Sequence, residues 1–288
     1  MTSQTWFLRV SAVVLGLFLV LYLAAVVSAE GVNPAQFEAR VIELINLERA
    51  KQNLPPLKAN AMLATSARAY SQSMADHNFY SHIAHNGSTL AQRLRAAGYV
   101  NWSSVGENLA VALYTPEYVV AAWMASPTHR ANILSAQYRE IGVGYVLEPG
   151  DTYGPYYHYW TAHFGARYSA YNVIINGEAM STNSSTVQLY SQAQRWATEM
   201  RVSNYADFHD AAWEPFVAER SWTLLPGDGE RAVYVQFRSR AGKVIDASDT
   251  IIVVTGARVA TSSVSEARES WSNSSNAGLA AHLRPVAP

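Results

Sequence analysis

The sequence of 288 residues contains no cysteine. That absence excludes a disulfide framework, thiol chemistry, thiolate metal ligands and lipid attachment at a cysteine. Charge is also sparse: 15% of residues are Asp, Glu, Lys or Arg, and the formal net charge is -1. No basic stripe runs along any stretch, which excludes the electrostatic footprint of a nucleic-acid-binding protein. Neither a Gly-x-Ser-x-Gly elbow nor a His-Glu-x-x-His helix occurs, so two common hydrolase signatures are missing.

What remains is hydrophobic, at 49% of residues, and long enough for two domains whose cores stand without disulfides. At the N-terminus, Arg9 precedes an apolar run from Val10 to Val27, and Val27-Ser28-Ala29 offers small residues to a signal peptidase. The run is also near spanning length, so residues 1–29 read as a signal peptide or an N-terminal membrane anchor. Either reading predicts a secreted or extracytoplasmic protein, with residues 10–27 as the tether in the second case.

Helical spacing of Phe37, Val41, Leu44 and Ile45 predicts an amphipathic helix over 34–51, opened by Asn33-Pro34, with Glu38, Arg40, Glu43 and Glu48 on its other faces. A second helix is expected over about 61–76 with Leu63, Ala67, Tyr70 and Met74 inward. A short one follows over 90–97, closed by Gly98. Val105–Val111 suits a strand. Thr115-Pro116-Glu117 and Ser126-Pro127 each carry helix-start signals, and the Ser126 hydroxyl is expected to cap the backbone of the helix it opens. Segments 141–147 and 157–164 read as strands. The dense aromatics between Tyr153 and Tyr168 read as sheet packing, with a carbohydrate or lipid contact surface as the alternative. Beyond Arg167, short β-prone runs separated by turns such as Pro226-Gly227-Asp228-Gly229 predict a β-sandwich of immunoglobulin-like size over 168–257. The Ser- and Ala-rich stretch 258–288 reads as a disordered tail.

Three polar patches stand out between His77 and Asn132: His77–Gly87, Val105–Val111 and Trp123–Leu134. If the fold brings them together, His82, Glu107 and His129 converge. Two neutral imidazoles and one carboxylate suffice for an open divalent metal site, zinc being one such cation. His85 and His163 are alternative entrants to the same place. His77, His158, His209 and His282 read as ordinary histidines.

In this order, Phe79-Tyr80-Ser81-His82, Arg93 with Gly98-Tyr99, Gly106-Glu107-Asn108, Trp123 through Arg130, Ile141-Gly142-Val143-Gly144, and Trp160 with Phe164-Gly165 resemble the CAP superfamily. This is the group of cysteine-rich secretory, antigen 5 and pathogenesis-related proteins, also called SCP-like extracellular domains. The Ser-Pro-x-His-Arg segment is similar to the bacterial branch. The resemblance covers about Pro34 to Arg167 and implies an α+β fold, a three-layer α-β-α sandwich, for a CAP domain at 30–167. It further implies a cleft in which His82 and His129 face the acid Glu107. A second cleft acid of the family falls at Ser126 and is absent here. Trp222-Thr223-Leu224 and Val233–Phe237 resemble bacterial immunoglobulin-like modules. The resulting expectation is an exported, non-enzymatic binding protein of the cell envelope. Its cleft would hold a divalent metal or another small ligand, with a lipid or an envelope glycan among the partners. The alternative is a metal-assisted peptidase or esterase using His82, Glu107 and His129.

Overall fold

The computed structural model describes residues 33–150 and 156–256. The expected targeting segment and the expected tail lie outside the described residues. Among those described, no helix is long and apolar enough to cross a membrane.

Helix α1 (Pro34–Ala50) is followed by β1 (Lys58–Ala59), α2 (Ala61–Asp76), α3 (Leu90–Ala96), β2 (Trp102–Val111), α4 (Pro116–Ala125), α5 (Pro127–Ile133), β3 (Glu140–Leu147) and β4 (His158–Arg167). The four strands form one sheet in the order β1-β3-β4-β2, with β1 parallel to β3 and the other pairs antiparallel. One face carries Val143, Tyr145, Trp160, Ala162 and Phe164 against Val41 and Ile45 of α1 and Val119 and Trp123 of α4. The other face carries Leu109 and Tyr159 against Tyr70 and Met74 of α2. Helices on both faces of a sheet give three layers.

Two glycines set the spacing on the α2 side. A Cβ at Gly142 would collide with the Ala64 backbone nitrogen, and one at Gly144 with that of Arg68. Glycine there lets α2 lie directly on β3. Asn60 caps α2 by accepting from the Met62 and Leu63 amides at 3.0 and 3.1 Å.

Glu38 departs from the helical reading of α1, which put it on a polar face. Its side chain is 4% exposed. Arg68 of α2 donates to both its oxygens at 2.6–2.9 Å, and the Tyr145 amide donates at 3.1 Å. The carboxylate is buried because it ties α1, α2 and β3 together. Arg49, also buried, donates to the carbonyls of Pro55, Ile133 and Ser135 at 2.7–2.8 Å, and burial lowers its pKa to about 10. It fixes the exit of α5 to the end of α1.

The later residues build two sheets. β5 (Val173–Ile175), β7 (Thr186–Ser191) and β10 (Glu219–Thr223) form one, in the order β10-β7-β5. β6 (Ser181–Thr182), β8 (Ala197–Ser203), β9 (Glu214–Pro215), β11 (Gly229–Ser239) and β12 (Val244–Val253) form the other, in the order β6-β12-β11-β8-β9. Val187, Leu189, Val202, Val233, Val235, Phe237 and Val253 meet in a common core, as period-two alternation in β7 and β11 predicts. Polar bonds join this module to the first. Lys58 on β1 lies 2.5 Å from Asp249 of β12 and 2.8 Å from Glu178, all three largely buried. Asn46 of α1 donates to the Gly177 carbonyl at 2.9 Å.

Candidate functional site around Glu107

β2 is an edge strand of its sheet, and its middle carries Gly106-Glu107-Asn108. Cross-strand register sets Glu107 opposite His163 of β4. Alternation places Trp160 and Phe164 in one core and leaves His163 on the face where Glu107 points. His163 is fully buried, and its Nε2 lies 2.8 Å from Glu107 Oε2.

Arg93 reaches the same oxygen at 2.6 Å from α3. A capping box between Thr89 and Gln92 fixes the start of that helix, so Arg93 leaves its first turn in a set direction. Its guanidinium lies 3.5 Å over the Tyr70 ring and also donates to the carbonyls of Ser88 and His82. Arg93 therefore clamps the loop that carries His82. From that loop, His82 Nδ1 comes to 2.7 Å from Glu107 Oε1, while the imidazole stays half exposed.

Both oxygens of Glu107 are thus engaged, and its side chain is 4% exposed. Burial would push its pKa up. Hydrogen bonds from His163 and His82, with the charge of Arg93, outweigh burial and hold it at about 2. An ionised carboxylate only accepts, so each imidazole donates to it. His82 then carries its proton on Nδ1 and presents the Nε2 lone pair outward. For His163, burial lowers the pKa more than Glu107 raises it, so the ring is neutral with its proton on Nε2. Its Nδ1 is buried and makes no hydrogen bond.

His129 arrives from α5. Asn108 donates to the His129 carbonyl at 3.0 Å, and Asn132 donates to the Glu107 carbonyl at 3.1 Å and to Asn108 Oδ1 at 2.8 Å. Helix α5 is therefore bonded along the open edge of β2. Other side chains take two further carbonyls of β2: Tyr138 that of Val105, and Trp123 and Tyr80 that of Leu109. Burial first, and the neighbouring His82 second, lower the pKa of His129. Its ring stays outside the bonds around Glu107.

Ser126 occupies the cap position of α5, but its hydroxyl lies 3.2 Å from the Thr128 hydroxyl and bonds no backbone amide. The expected capping bond is absent because the nearby hydroxyl takes its place. His85 stacks on His77 at 4.4 Å instead of joining the site. The resemblance singles out Arg93, but spacing along Leu90–Ala96 gives it no role that Arg95 could not share. His163 was visible through strand alternation. A recess of about 660 Å³ between α1 and the three-stranded sheet, lined by residues including Leu47, Leu54, Tyr190 and Glu219, contains none of the site residues.

A divalent metal fits this donor set only in part. Among the described residues no three His, Asp or Glu side chains form a ready metal group. To become a ligand Glu107 would have to give up His82 at Oε1, or Arg93 and His163 at Oε2. The imidazoles of His82 and His129 are the side chains left to hold a cation, with Glu107 behind His82 as the orienting carboxylate.

Residues 42–164 match the family model described as CAP, cysteine-rich secretory protein family. The Bacillus subtilis protein YkwD is 44% identical over 110 residues, 38% of this chain and 42% of that protein. The membrane protein YlbC of the same organism is 31% identical over 107 residues, 37% of this chain and 31% of that protein. The chain spans less than half the length of these curated relatives. Among solved structures, an extracellular protein containing an SCP domain from Bacillus anthracis is 28% identical with a TM-score of 0.41, covering 46% of this chain and 41% of that one. A cysteine-rich secretory protein from Staphylococcus aureus is 22% identical with a TM-score of 0.38, covering 48% and 40%. The chain carries a CAP domain of bacterial type at residues 42–164.

Proposed function

We propose that this bacterial-type CAP-domain protein works outside the cytoplasm as a binding protein, gripping a small ligand or a divalent cation between the imidazoles of His82 and His129. The carrying observation is the full engagement of Glu107. Its oxygens are occupied by His82, Arg93 and His163, so the carboxylate orients and does not ligate or take up a proton. A metal-assisted hydrolase would need a carboxylate free to accept a proton from water. The only acid that the sequence supplied for that role is committed elsewhere, which supports binding over hydrolysis. A cation held here would supply an electrophilic centre, and His82 Nε2 is already turned outward to meet it. The two-sheet module after Arg167 we read as an immunoglobulin-like spacer; its antiparallel sheets around one alternating core support that reading.

Calorimetric titration with zinc tests the site. The unsubstituted protein is expected to bind, and His82→Ala or His129→Ala to lose most of the affinity. Glu107→Gln should weaken binding less than either, by about 10–100-fold, as for a residue behind a ligand. Affinity should also fall at acid pH, because a protonated imidazole cannot ligate, with the His129 contribution lost below the ordinary imidazole value of about 6.5 because burial lowers its pKa. Equal zinc affinity in all four proteins overturns the reading.

A further inference from the structure

Four exposed apolar side chains gather at one end of the sandwich. Tyr114 and Tyr118 flank the start of α4 and are 59% and 64% exposed, and Leu147 and Tyr157 flank the β3–β4 connection. They belong to one region: the Tyr114 ring meets that of His158 at 4.8 Å, Leu147 pairs with His158 across the sheet, and the Glu148 amide donates to the Tyr157 carbonyl. This is also the end at which α1 begins. Phe37 in its first turn packs 5.3 Å from Tyr145, whose hydroxyl lies 2.8 Å from His158 Nδ1, and Arg40 donates to Glu117 of α4 at 3.0 Å.

The sequence before α1 supplies the occupant. The apolar run Val10–Val27 ends six residues before Pro34. Those six residues reach at most about 20 Å when fully extended. A chain whose Val10–Val27 segment lies in a bilayer thus keeps the start of α1, and the tyrosines beside it, within reach of the headgroups. Tyrosine suits that layer, with an apolar ring and a polar tip. Helix α1, with 17 residues, is about 25 Å long, and its far end meets the β-module at Gly177.

We propose that the end of the CAP domain bearing Tyr114, Tyr118, Tyr157 and Leu147 rests on the lipid bilayer into which Val10–Val27 leads, with the β-module held away from it. Among the described residues the charges near this end include Glu148 and Arg40 with its partners Glu43 and Glu117, so the contact depends on ring insertion and not on attraction to anionic lipid.

Because the chain has no cysteine, a single introduced thiol takes a spin label cleanly. The full chain with Tyr118→Cys, reconstituted in phosphatidylcholine vesicles, is compared with the full chain carrying Ser248→Cys on exposed β12. The label at position 118 is expected to be at least about 3-fold more accessible to oxygen, relative to a water-soluble nickel chelate, than the label at 248. Adding Tyr114→Ser and Tyr157→Ser should remove most of that difference while leaving the thermal midpoint unchanged. Adding phosphatidylglycerol should not increase it. Equal accessibility at the two positions overturns the proposal. So does dipolar broadening between labels at 118, which would assign the face to a second copy, or a contact that appears only with anionic lipid.

Discussion

Glu107 holds a negative charge almost out of contact with water, and its neighbours set the sign of its effect on stability. Its folded pKa, about 2, lies below the unfolded value of about 4.5. It therefore stabilises the fold above about pH 4.5, and the contribution is lost as pH falls toward 2, amounting to about 3 kcal/mol at most. His163 works in the same direction at higher pH. The buried ring resists protonation while the unfolded one charges below about 6.5, so stability also declines from there downward. In Glu107→Gln, denaturant titrations from pH 7 to 2 should keep the decline that starts near 6.5 and lose the steep part below 4.5. A variant with an unchanged acid limb would show that the carboxylate is not held as described. That His82, Glu107 and His129 lie near one another was legible in the sequence because each is a polar residue without local structural employment. Arg93 enters the resemblance beside Gly98-Tyr99, but its hold on Glu107 was not legible, since nothing along a short helix tells a clamping arginine from a solvated one.

At the scale of elements, the periodicities match the five helices and the strands β2, β3 and β4 within a few residues, but give no sign of β1, whose two residues Lys58–Ala59 are too short to show alternation. β2 begins at Trp102, ahead of the expected Val105, because an irregularity between Trp102 and Ser104 lets pairing continue across it. Glu38 was misplaced because helical spacing reads polarity as exposure and cannot see a partner on another helix. The close contact of α2 with β3 gives a sharp test. In Gly142→Ala the new methyl meets the Ala64 nitrogen and the Leu63 carbonyl carbon, which are backbone atoms unable to swing away. The expected cost is about 1–3 kcal/mol or more, read as a lower thermal midpoint. An unchanged midpoint would mean that the helix can lift off the sheet.

Across the whole molecule, the junction between the CAP domain and the β-module turns on Lys58, Glu178 and Asp249: one buried ammonium with two carboxylates. Burial pushes Glu178 up to about 7 against the pull of Lys58. A carboxyl raised above its unfolded value of about 4.5 gives stability that is full below 4.5 and lost as pH rises through 7, the reverse of Glu107. Relative to the unsubstituted chain, Glu178→Gln should therefore gain stability as pH goes from 4.5 to 8, in paired denaturant titrations; a constant difference would sink this account. The proposed boundary near Arg167 makes a second prediction. Residues 30–167 should unfold cooperatively alone, but at a lower midpoint than the full chain, because Lys58 is left without either carboxylate. The sequence could not show this junction, since its three members are far apart and each is ordinary in its own segment.

The occupied carbonyls along the edge of β2 have a consequence for how copies of this protein behave toward each other. An open strand edge is a template on which another chain can grow. Here the outward carbonyls of Val105, Glu107 and Leu109 are already taken by Tyr138, Asn132, Trp123 and Tyr80. The helix that carries His129 thus also covers part of an edge on which another strand could pair. Asn132→Ala would free the Glu107 carbonyl. In concentrated solution it should raise light scattering over days, whereas His129→Ala, which leaves that cover in place, should not.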